Sequence, residues 1–211
     1  MNKKIKQYLS TNRWYHGTTL DNAKKIIKNG VIADYNKGNE LDFGCGFYLT
    51  PKKDQASSFI TKILEYNKDK VGESLAQSLG IKTKYNKDKE IPVVIEFDFV
   101  PLNWFEEEEY KSKILNSYDN EFAEFVFNNR MNNEKIQHDY DLIFGVMSDS
   151  LPIILIQRYK NGELKKDDVI EGLKKQTSAK QLSIHNQNIC DIIKVNKIYD
   201  IDSGKELDIN G

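Results

Sequence analysis

His16 stands in Trp14-Tyr15-His16-Gly17-Thr18-Thr19, a short aromatic segment that runs into turn residues. An imidazole titrates near neutrality and can act as acid, base or hydrogen-bonding group, and Gly17 behind it lets a ligand come close to the backbone. Tyr48 lies in Gly46-Phe47-Tyr48-Leu49-Thr50, where strand alternation sends Phe47 and Tyr48 to opposite faces, one toward a core and the other toward a cleft. Taken singly, both His16 and Tyr48 also read as packing residues. Cys45, between Gly44 and Gly46, has no histidine-containing motif beside it, so a catalytic thiol is not expected. Glu121 and Glu124 are carboxylates that either reach a site or form the solvated face of a helix. His138 and His185 read as structural.

Familiar motifs are missing. Gly44-Cys45-Gly46 is not a dinucleotide loop, because Leu49 occupies the place of the third glycine and a strand follows instead of a helix. The chain has no P-loop, HExxH, GxSxG or CxxC, which leaves no support for P-loop phosphoryl transfer, zinc proteolysis or an α/β-hydrolase elbow. Cys45 and Cys190 are far apart and form neither a metal-ligand pair nor a disulfide framework; a reducing, cytoplasmic setting is expected, with no structural zinc.

The elements that must carry these residues follow from periodicity. The segment around His16 reads as a strand, and Leu-Asp-Asn-Ala-Lys-Lys-Ile-Ile-Lys-Asn-Gly (20–30) as an amphipathic helix with Ala23, Ile26 and Ile27 on one face and Gly30 as its stop. A strand at 46–50 leads through Pro51 into a helix over 51–67. Residues 91–100, alternating and β-branched, form the clearest strand. A helix over 121–135 carries Phe122, Phe125 and Phe127, a strand over 140–150 ends in a polar turn, and helices over 151–162 and 167–176 follow. The end holds strands at 181–186 and 194–202 around a short helical stretch. Charged runs at 66–74 and 82–90 bracket an inserted helix. Mixed elements without βαβ alternation predict an α+β fold, in a single domain over 1–211 with its core at about 13–202 and a short N-terminal helical extension.

The 211 residues carry 31 Lys plus Arg against 32 Asp plus Glu, so no global basic field argues for nucleic acid, although 82–89 could supply a local patch. The basic N-terminus lacks a signal peptide's apolar run, and no apolar stretch reaches the roughly 20 residues that span a bilayer.

Together, Tyr-His-Gly-Thr-Thr, about thirty residues later Phe-Gly-Cys-Gly-Phe-Tyr-Leu-Thr, and then a helix opening Lys-Lys-Asp-Gln-Ala-Ser-Ser-Phe resemble the ADP-ribosyltransferase fold of the diphtheria-toxin and poly(ADP-ribose) polymerase type. The chain is also similar, from about Trp14 to about residue 195, to an uncharacterised bacterial domain family assigned to that superfamily, in which LDFG-x-GFYLT and a later YD-x-x-x-G recur. The resemblance implies a split β-sandwich with flanking helices that consumes NAD as a substrate, without a metal. It assigns His16 to the adenosine ribose, Gly17 and Thr18 to the amide and nucleotide, and Tyr48 and Phe59 to the two faces of the nicotinamide. Gly44, Gly46 and Phe47 shape that wall of the slot. The family's amide-binding serine falls near Ala56, with Gln55 or Ser57 as substitutes. Separately from the resemblance, Arg130 and Asp149 stand at element ends, where sites often form, and are candidates for the substrate or phosphate side, Arg130 as a partner of the NAD pyrophosphate, or else are structural.

The family's catalytic glutamate, which opens a late strand, is replaced here by Gln181. A glutamine carbonyl accepts a ribose hydroxyl but brings no charge and cannot act as a base. The resemblance therefore implies a mono-ADP-ribosyltransferase with an unknown protein or nucleic-acid acceptor. It leaves open an NAD glycohydrolase and a non-catalytic NAD or ADP-ribose binding module. By analogy it suggests a toxin or defence effector, with an antitoxin as partner and no membrane.

Overall fold

The computed structural model describes residues 1–38, 40–66, 91–148, 151–175 and 177–208. A short helix, α1 (Lys3–Leu9), is capped by Asn2, whose side chain accepts from the Ile5 N–H, and buries Ile5 and Leu9. Next come β1 (Arg13–Thr19) and α2 (Leu20–Asn29), which ends at Gly30 in the left-handed region (φ 79°). After a loop come β2 (Phe47–Leu49), α3 (Lys53–Tyr66), β3 (Pro92–Asp98), α4 (Leu102–Glu106) and β4 (Ser112–Leu115). The chain continues through α5 (Asn120–Met131), capped by Asp119, then β5 (Leu142–Val146), α6 (Leu151–Lys160) and α7 (Lys166–Leu173). It closes with β6 (Lys180–Ile184), α8 (Gln187–Cys190) and β7 (Lys194–Asp200).

Among the described residues the strands form two sheets, β1-β3-β7 and β2-β6-β5-β4, antiparallel except for the parallel β4/β5 pair. The fold is thus α+β. β3 is the centre of the first sheet because Val93, Val94, Ile95 and Phe97 leave it no wet face. The two sheets face one another across one core, in which Trp14, Ile95 and Phe97 meet Phe47, Phe144, Leu182 and Ile184. A second core lies on the other side of the β2-β6-β5-β4 sheet, where Phe43 and Ile143 pack with Phe122, Val126, Ile156 and Val169 of the surrounding helices. Each such fully buried side chain contributes about 1.5–3 kcal/mol.

Three sequence expectations need amendment. Ile27, read as part of the buried face of α2, is 40% exposed, while Ala23 on that helix is fully buried. β4 and α4 are additional elements: β4 is a four-residue edge strand with only Leu115 buried, too short to show a period. The inserted helix expected between the charged runs falls on 67–90, outside the described residues. Among the described residues, no helix is long and apolar enough to cross a membrane.

Candidate functional site

Among the described residues, backbone hydrogen bonds join the first and second sheets at one point, beyond which β1 and β2 part. Tyr15 exchanges both backbone hydrogen bonds with Thr50 at 2.9 Å, joining β1 to the end of β2. Carrying that antiparallel register one step further would pair Gly17 with Tyr48, but no such bond forms. Along a strand, residues two apart direct their N–H and C=O to the same edge. Gly17 therefore presents both groups to the edge where the sheets split, with no backbone partner among the described residues.

His16 occupies the fork. Its Nδ1 lies 2.8 Å from the Tyr48 carbonyl, and its ring rests on Phe47 at 4.9 Å between centroids. A carbonyl only accepts, so Nδ1 carries the proton and Nε2 keeps its lone pair, with no partner among the described residues. Burial lowers the His16 pKa below its ordinary value, against the smaller opposing effect of the Tyr48 bond, so the ring is neutral at pH 7.

Tyr48 and Gln181 share one face of the second sheet, on the neighbouring strands β2 and β6. The half-buried Tyr48 has its hydroxyl fully engaged: it donates to Gly44 O at 2.7 Å and accepts from Phe43 N–H at 3.0 Å. Burial and then the Asp42 charge hold its pKa well above the ordinary value, so the phenol stays neutral and its ring is pinned. Gln181, 6% exposed, donates from Nε2 to Asp42 Oδ2 (2.9 Å) and to the Val146 carbonyl (3.1 Å). Both partners are pure acceptors, which settles the amide orientation and turns Oε1 away from them.

Asp42 is the hub of this network and was not singled out from the sequence. Its Oδ1 accepts from Arg130 Nε (2.9 Å), Arg130 Nη2 (2.6 Å) and Ser148 Oγ (2.6 Å), and its Oδ2 from Ser148 N–H (3.0 Å) and Gln181. Burial alone would raise its pKa; Arg130 and the two Ser148 bonds outweigh that and hold it below the ordinary carboxylate value. One turn, 42–44, thus fixes both the Tyr48 hydroxyl and the Gln181 amide.

Two histidines hold the same loop from behind. His185 Nδ1 donates to Cys45 O (2.6 Å) while its Nε2 accepts from the Ser183 hydroxyl (2.8 Å), and His138 Nε2 donates to Phe43 O (2.9 Å). Gly44 needs its positive φ of 78° for the turn. A Cβ at Gly46 would meet His185 Nδ1 at 2.7 Å, so it is the protein's own imidazole, not a ligand, that takes the space there. Likewise a Cβ at Gly17 would meet the Ala56 carbonyl of α3 at 2.2 Å; what Gly17 leaves open is its strand edge, not its face.

The remaining expected residues fall as follows. Gln55 clamps the backbone of Lys180, donating to its carbonyl (2.9 Å) and accepting from its N–H (3.2 Å), and Ser57 bonds Lys53 O, so both candidates for an amide contact are engaged within the protein. Phe59, one helical turn after Gln55 on the same stripe of α3, is 38% exposed. Thr18 is buried and Phe47 lies in the core between the sheets. Arg130, expected on the phosphate side, is buried: besides Asp42 it donates from Nη1 to Glu40 O at 2.7 Å. The reason is charge, since a buried Asp42 requires a cation. Asp149 lies outside the described residues. Glu121 and Glu124 are paired with Lys113 and Lys166 on the helix surface. Cys45 and Cys190 are buried, and burial raises both thiol pKa values, that of Cys190 to about 12. The His16, Tyr48 and Gln181 group does not line the open depression of about 460 Å³ between Lys113, Glu121, Phe125, His138 and Tyr140. No cluster suited to a metal exists among the described residues.

The sequence folds to a two-sheet α+β structure in which His16 sits where β1 and β2 separate, bonded to the Tyr48 carbonyl, while Tyr48 and Gln181 share a face of β2 and β6 and are tied through the 42–44 turn. The chain belongs to the family described as protein of unknown function (DUF3990), whose profile matches residues 13–195. No curated protein and no solved structure matches it.

Proposed function

We propose that the fork between β1 and β2 is an NAD site, and that the protein cleaves the nicotinamide glycosidic bond and transfers ADP-ribose to a macromolecular acceptor. The observation that carries this reading is the unpaired Gly17 edge beside Tyr48: a strand edge offering one N–H and one C=O is complementary to a carboxamide, which has one acceptor and two donors. The resemblance of both motifs to the ADP-ribosyltransferase superfamily supports it.

In this reading the pinned Tyr48 ring stacks on the nicotinamide, and Phe59 covers it from α3. The lone pair of His16 Nε2 accepts from a hydroxyl of the adenosine ribose, and Gln181 Oε1 accepts from a hydroxyl of the nicotinamide ribose. When the bond from C1′ to the ring nitrogen breaks, its electron pair goes to that nitrogen and neutral nicotinamide leaves. The cation-like ribose is captured by the acceptor's nucleophile, which gives its proton to solvent. The neutral Gln181 favours an acceptor that needs no general base, and single additions over chains. The same neutrality favours a second reading, a module that binds NAD or ADP-ribose without turnover.

The test is incubation with NAD labelled on the adenosine side and a cell lysate. Label on macromolecules, removed by either protease or nuclease, is expected and names the acceptor class. Free ADP-ribose alone would indicate hydrolysis, and intact NAD would favour the binding module.

A further inference from the structure

We propose that Asp42 is the positioning residue of the site: its carboxylate orients Gln181 so that Oε1 faces the fork, and it is the reason that this position carries an amide and not a carboxylate. The catalytic half of the role rests on the NAD-cleaving reading above; the electrostatic half stands without it.

Two oxygens of the same carboxylate divide the work. Oδ1 is filled by Arg130 and the Ser148 hydroxyl, whereas Oδ2 takes the Ser148 N–H and Gln181 Nε2. The guanidinium therefore neutralises Asp42 from the side away from Gln181. Reversing the Gln181 amide would set Oε1 against Asp42 Oδ2 and the Val146 carbonyl, three acceptors with no proton among them. A glutamate would meet the same conflict with a second negative charge added. In addition, an amide whose N–H groups point at a carboxylate carries more negative charge on its oxygen, so Asp42 strengthens Oε1 as an acceptor. Among the described residues the groups facing position 181 are Asp42 and, behind it, Arg130; the Tyr48 hydroxyl is engaged by Gly44 and Phe43, and the Lys180 ammonium goes to Asn116.

The experiment is Gln181→Glu with the new carboxyl followed by carbon-13 NMR across pH. With Asp42 present, its pKa is expected at least about two pH units above an ordinary glutamate, a hundredfold higher proton affinity. In the Asp42→Asn/Gln181→Glu double variant, the amide introduced at position 42 supplies an N–H and the value is expected to return to within about one unit of the ordinary one. An ordinary glutamate titration in the single variant overturns the proposal, whether or not the double variant folds. If the single variant unfolds at pH 8, it is expected to fold at pH 5.5, and failure at both values also overturns it. Nicotinamide release by Gln181→Glu should rise with pH as the carboxyl ionises, against a flat wild type. A displaced titration together with no release from the wild type would retain the Asp42 role and reject the NAD reading.

Discussion

Acidification should destabilise this protein before its carboxylates are neutralised, and His185 sets the magnitude. Burial, then the neighbouring His138, lowers its pKa from the ordinary 6.5 to about 3. The folded state therefore binds the proton more weakly than the unfolded chain. Stability from this group is complete above about pH 6.5 and is lost progressively as pH falls toward about 3. Between pH 7 and pH 5 the loss from His185 alone is roughly 2 kcal/mol, or about 4–8 °C in melting temperature for a chain of this size. His16 and His138 are also lowered by burial and add in the same direction, whereas Asp42, held below its ordinary value, acts only below about pH 4. The assay is urea unfolding at pH 7.5, 6 and 5, with histidine-ring NMR to follow His185 itself. A midpoint that does not change over this range, or a His185 ring that titrates near 6.5 in the folded protein, would refute the account of the loop's hydrogen bonds.

Other outcomes follow from the same network. Arg130→Met should destabilise by about 3–5 kcal/mol, because it strands the buried Asp42 charge; a urea midpoint close to wild type would contradict the pairing. Gly46→Ala should cost about 1–3 kcal/mol by driving a methyl into His185, and the loss should shrink in a His185→Ala background. Cys45 and Cys190 should resist thiol reagents in the native protein and react in urea, which a time course of Ellman's reagent would show.

The strongly patterned parts of the chain were legible because one force decides them. Residues 92–98 are β-branched and alternate Val93, Ile95 and Phe97 with a face that ends in Glu96 and Asp98, which marks a strand from the sequence alone, and Ala23 and Ile26 at helical spacing before Gly30 mark α2 in the same way. β4 was not legible, since an edge strand held by pairing with β5 needs little apolar pattern of its own. At the site, His16, Tyr48 and Gln181 could be picked out by motif, but the reason for their geometry could not. Asp42 meets Arg130 88 residues away and Gln181 139 residues away, contacts no local period encodes. The one available signal was an aspartate set directly before Phe43-Gly44 in a segment otherwise bound for the core. The glycines mislead in the opposite sense: the room they provide is filled by Ala56, Asn129 and His185.

The most direct measurement is nicotinamide release from NAD by the purified protein, compared with His16→Ala, Tyr48→Ala and Gln181→Ala variants shown to be folded by circular dichroism. The account predicts release by the wild type that falls at least tenfold in each variant. Wild-type protein that neither releases nicotinamide nor binds NAD would contradict it.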